Sequence, residues 1–145
     1  MRLVPDIALP AHAHIPTTGT KPDADSLELA KRLAPPVMLA AEWKNNKAYL
    51  YGHDLMRAGY YWEAHEVWEA VWQLTRANSP ERVLLQALIQ GANAQLKHKM
   101  GLSGAAGKLD IQIEELRIEL FARLGGRVNS FMGVSIVDND MKYIA

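Results

Sequence analysis

The chain has no cysteine in its 145 residues. That excludes disulfides and thiolate metal sites, and it fits a reducing cytoplasm. It has no excess charge of either sign, with 16 Lys plus Arg against 16 Asp plus Glu. No global field would therefore draw it to nucleic acid or to an anionic membrane. It also lacks any apolar run near the roughly 20 residues of a membrane span. The first residues carry one arginine and no long apolar stretch before the prolines, so no signal peptide is expected. Phenylalanine is scarce, with two copies, and the aromatic content rests on four tryptophans and five tyrosines. These have polar tips that seek partners when buried. The length points to a single domain, with enough chain to bury a core unaided.

What is present concentrates in Tyr60 to Thr75, which holds three of the four tryptophans, one histidine and three glutamates. At about 100° per residue, Ala64, Val67, Trp68, Val71 and Thr75 fall on one side of a helix. Tyr61 and Trp72 extend that side. Glu63, Glu66 and Gln73 fall on the opposite, wet side. His65 and Glu69 sit at the boundary, four apart and one turn from each other, and Trp72 continues their row.

The other segments read in order. Residues 1–26 hold four of the seven prolines and form an extended arm, with His12 and His14 as solvated or loosely packed loop histidines or, alternatively, as part of a ligand arm that folds over the central helix. Ser26 opens a short helix over residues 27–33, which Pro35-Pro36 stops. A second short helix runs over about 37–44. A third spans 47–58 and ends at Gly59, with His53 on its rim. Ser79-Pro80-Glu81 starts a helix that reaches Met100. It is apolar almost all round, hence buried. Gly91 would let a neighbour approach closely, and Gln95 and His98 should bond across to another helix. Gly101 to Gly107 reads as a turn with Ser103 as a candidate cap. Residues 108–124 form an amphipathic helix on Leu109, Ile113, Leu116, Leu120 and Leu124. Residues 127–145 read as an extended tail, or as one strand that pairs with a second subunit.

The expected fold is therefore all-α. It is a single-domain bundle of about four main helices (residues 27–126), with a short N-terminal helical pair and an extended C-terminal tail. In an antiparallel arrangement, His98 near the end of the long helix would approach His65 and Glu69. Those three form the candidate divalent-metal site, and His65 and Glu69 are also the catalytic candidates. Trp62, Trp72 and Gln90 are candidates for a ligand pocket, and Gln90 or Glu63 would support the metal ligands. The string His65-Glu66-Val67-Trp68-Glu69 is not the zinc protease signature, which needs a second histidine where Glu69 stands.

Tyr60 to Trp72, Leu88-Ile89-Gln90, and His98 to Gly101 resemble the domain-of-unknown-function family 309. The likeness rests on His65, on Glu69 four later and on Trp72 three after that. It covers about residues 47–124, with Lys99-Met100 beside His98 as a departure. The resemblance implies a small all-helical protein and no settled activity. Three readings follow: a helical module whose polar cluster is structural, a metal-assisted hydrolase or other small-molecule enzyme, and an interaction or oligomerisation module that leaves a homodimer open.

Overall fold

In the computed structural model, which describes residues 1–19 and 21–145, the chain forms five α-helices, one 3-10 segment and a small hairpin. The helices are α1 (Ala24–Arg32), α2 (Lys47–Arg57), α3 (Tyr61–Trp72), α4 (Pro80–Lys99) and α5 (Ser103–Arg123), with the 3-10 segment at Ala40–Asn45. The hairpin pairs β1 (Ser130–Phe131) antiparallel with β2 (Val134–Ser135). The all-α expectation holds. None of the helices is long and apolar enough to cross a membrane.

Local chemistry sets the helix ends. The Asn46 side chain accepts from the Tyr49 N–H at 3.0 Å and starts α2. Ser79 accepts from the Arg82 N–H, with Pro80 in the first turn of α4, so a missing proline donor costs nothing there. Gly59, after α2, has φ +85°, a conformation that glycine adopts without a Cβ clash. Three boundaries differ from expectation. α1 starts at Ala24 with Asp23 as its cap, so Ser26 lies inside the helix. The expected helix over 37–44 is a 3-10 turn that starts only at Ala40. α5 begins at Ser103, five residues early: Ala106 is fully buried and packing outweighs the weak propensity of Gly104 and Gly107.

Each of α2 to α5 packs chiefly on its neighbour in the chain. α2 and α5 stand apart, and a cleft remains between them. The core is anchored where α3 crosses α2. Trp68 is buried and its indole N–H donates to the Tyr49 carbonyl at 3.0 Å. Its ring occupies the space over Gly52, where an added Cβ would lie 2.0 Å from Nε1. Gly91, expected to allow close helix approach, has nothing within 4 Å of such a Cβ.

Both chain ends fold back onto α2. The N–H groups of Leu3 and Val4 donate to the Asp54 carboxylate at 2.7 and 2.8 Å, and Arg2 Nε lies 3.1 Å from it. The Tyr51 hydroxyl donates to the Ala8 carbonyl, and the Tyr49 hydroxyl to the Met132 carbonyl. The tail is therefore neither extended nor a lone strand. Met132 and Gly133 turn it at φ +51° and +81°, Val134 bridges to Tyr143, and Met132, Val134 and Ile136 are buried. The strand's partner lies within the same tail, because the positive-φ pair Met132-Gly133 reverses the chain.

Two stability outcomes follow. Trp68→Ala should cost about 3–5 kcal/mol in urea unfolding through the cavity it leaves. Gly52→Ala, the addition of a single buried methyl group, should cost roughly 3 kcal/mol because a rigid indole stands where the methyl must go. A wild-type unfolding midpoint for Gly52→Ala would contradict the packing described.

Candidate functional site

On the outer face of α3, His65 Nε2 lies 3.0 Å from Glu69 Oε2, and Nδ1 lies 3.8 Å from Glu66 Oε1. One ligand atom from each of His65, Glu66 and Glu69 falls within 4.8 Å of the other two. The His65 Nδ1 is buried without a hydrogen-bond partner. Glu66 is not on a wet face as expected, since it is half-buried and accepts from Lys31 of α1 at 3.3 Å. His98 does not join this cluster. α4 has 20 residues against 12 in α3, so its end overhangs the start of α3. His98 faces Asp110 of α5 at 4.0 Å, and Lys99 lies over the Tyr61 ring. Gln95 is exposed rather than bonded across.

The remaining sequence candidates are scattered. Trp72 stacks on the Arg82 guanidinium, 3.8 Å from ring centroid to carbon. Trp62 meets the His14 ring edge-on at 4.7 Å. Gln90 lines a shallow groove between α4 and α5 with Gln86 and Glu115. Glu63 is not on a wet face either. It is fully buried, because the N-terminal arm crosses over it and the His14 N–H donates to its Oε2 at 2.7 Å. Burial pushes its carboxyl above the ordinary range, opposed by that hydrogen bond. The His14 side of the arm is thus docked, while His12 remains exposed with Nε2 2.6 Å from the Lys21 carbonyl oxygen.

A deeper-set cleft lined by aromatic residues lies elsewhere. It is a cleft of about 360 Å³ between α2 and α5, floored by α3 and α4 and closed on one side by residues 139–143 of the tail. His53, Arg57, Trp68, Gly91, Ile113 and Tyr143 are among its walls. His53 is a residue of the interior, 4 % exposed, and not of the rim as expected. The aromatic rings of Tyr49, Trp68 and Tyr143 surround it at centroid distances of 4.8 to 4.9 Å. Its Nε2 has no hydrogen-bond partner. Burial first, and the nearby Arg57 charge second, push the imidazole down to about 3, so it is neutral at physiological pH.

Sequence reasoning passed over this site although a signal existed. A glycine inside a helix pattern marks close backbone approach, and Gly52 adjoins His53. The contribution of Tyr143 had no such signal, since the tail shows no periodicity that fixes where it folds.

A buried neutral histidine makes stability depend on pH. Between its ordinary value of 6.5 and about 3, the unfolded chain binds a proton that the folded chain excludes. Stability is therefore fully present above pH 6.5 and is lost as pH falls toward 3, at up to roughly 1.4 kcal/mol per pH unit. Urea midpoints from pH 7 to 4 should show this slope in the wild type and a shallower one in His53→Gln. Equal slopes would contradict the assignment.

No curated protein and no solved structure matches the chain. Residues 49–109 match the model of the family described as Domain of unknown function (DUF309). The match starts within α2 and ends within α5, and it contains His53, Trp68 and the His65, Glu69, Trp72 row of α3. Through this segment the chain is similar to the DUF309 family.

Proposed function

We propose that this protein is a helical small-molecule-binding domain whose site is the cleft between α2 and α5. One observation carries the reading: a neutral imidazole, boxed by three aromatic rings and with an unpartnered Nε2, stands in the wall of this cleft. Pockets that bind small ligands combine an apolar lining with a few polar groups of perturbed ionisation. A neutral histidine can accept a proton or a hydrogen bond from a bound ligand, and can donate one from its other nitrogen. The volume suits a ligand of modest size.

Gly91 provides the test. It lines the cleft, and a Cβ there would meet open space. Gly91→Leu should fill the cleft while leaving Tm unchanged or higher, because leucine favours helix over glycine by nearly 1 kcal/mol. Compounds that bind wild type in ligand-observed NMR screening should lose binding to Gly91→Leu. Hits that bind both proteins equally would place the site elsewhere and overturn the reading.

The outer face of α3 favours a second reading, a divalent-cation site on His65, Glu66 and Glu69. Its support is the 4.8 Å grouping of one imidazole and two carboxylates, a donor set that suits zinc or manganese. His98 is not part of this proposed set. Elemental analysis of untagged protein after incubation with zinc or manganese should give near one equivalent in wild type and none in His65→Ala. No metal in either protein would remove this reading.

A further inference from the structure

We propose that the cleft takes a small organic carboxylate, its anionic end held by Arg57 beside His53 and its flat apolar body laid on α4 at Gly91. This rests on the cleft being the ligand site and adds the ligand's chemical class.

The charges around the cleft carry the argument. Four ionisable side chains of fixed sign line it: Arg57, Lys142, Asp110 and Asp140. Lys142 and Asp140 neutralise each other at 3.2 Å. Asp110 lies 4.0 Å from His98. Arg57 and Asp110 are the two charges left over, of opposite sign and on α2 and α5 respectively, and Arg57 is the cation available to a ligand. Its guanidinium lies over the Tyr143 ring at 5.1 Å and donates to the Met1 carbonyl at 3.4 Å. Among the described residues no carboxylate lies within ion-pair distance of it. A guanidinium offers a fork of N–H donors matched to a carboxylate, and one unpaired positive charge matches a monoanion better than a phosphate dianion. His53, neutral and in the same wall, adds a hydrogen-bonding nitrogen and no competing charge. Arg57 is near enough to contribute to holding His53 neutral.

Where α4 crosses it, the cleft is lined by small apolar residues, with the Gln95 amide beside them. Ala87, Gly91 and Ala94 present little or no side chain there, with Ile113 and Met56 on either side. A bed of this kind accepts a planar ring or a short branched chain and leaves no polar atom unpaired beneath it.

The probe is 2-naphthoate, with 2-naphthamide as its neutral counterpart and 2-naphthylmethylammonium as its cationic one, each titrated by protein NMR. The acid should bind saturably, at least tenfold tighter than the amide. Arg57→Gln should weaken the acid at least tenfold and leave the amide unchanged. Arg57→Lys, which keeps the charge, should keep the preference for acid over amide, separating charge from a loosened tail. Acid and amide binding equally, or the ammonium binding best, would overturn the anion assignment and leave the cleft as a binding site. No saturable binding by any of the three at millimolar concentration would overturn both readings.

Discussion

The seat of Trp68 on Gly52 is the constraint from which the remainder of this structure follows. An indole can sit directly on a helix backbone only where the side chain of that helix is absent, and Gly52 is the point where it is. This contact draws α3 against α2 and lets the indole N–H reach the Tyr49 carbonyl. It also turns the next residue, His53, into the interior against the Trp68 ring. The same crossing thus produces the stability of the core and the unusual histidine of the cleft.

α2 is the hub of the fold, although α3 holds more aromatic mass. Tyr49, Tyr51 and Asp54 use their polar ends to fasten the tail and the N-terminal arm, segments that make few regular backbone bonds of their own. A buried carboxylate that accepts two N–H groups and stands beside a guanidinium is well satisfied, so the arm has a fixed seat. The tail's position has a direct effect on the site. Without Tyr143 against His53 and Arg57, the cleft would lack one wall and the imidazole would meet solvent. The family match covers the helices from α2 into α5 and not the arm or the tail, so the enclosure of the cleft depends on segments outside it.

Periodicity and end signals carried most of the fold. The ranges of α2, α3 and α4, the Ser79-Pro80 start and the glycine stops were legible because each depends on neighbours in sequence. The His65–Glu69 pair was legible for the same reason, being one helical turn. Contacts between distant segments were not. A helical wheel assigned Glu63 and Glu66 to water because it cannot see an arm or a second helix laid across them. It assigned His53 to a rim because the identity of the residue suggested polarity, whereas the neighbouring Gly52 determined its burial. His98 was expected beside His65 from the antiparallel arrangement alone, and the greater length of α4 carried it past. The tail shows most plainly what such reasoning misses, since its hairpin depends on a positive-φ pair and on partners more than 80 positions away.

The account stands on His53 being an uncharged residue of the cleft wall. The most direct measurement is a long-range proton–nitrogen correlation spectrum of its imidazole, followed from pH 7 down to pH 4. The account predicts ring-nitrogen shifts of a neutral tautomer throughout that range, with the other histidines available in the same spectra for comparison. Conversion of the His53 signals to the imidazolium pattern near its ordinary value of 6.5 would contradict the burial, the aromatic enclosure and the site built on them.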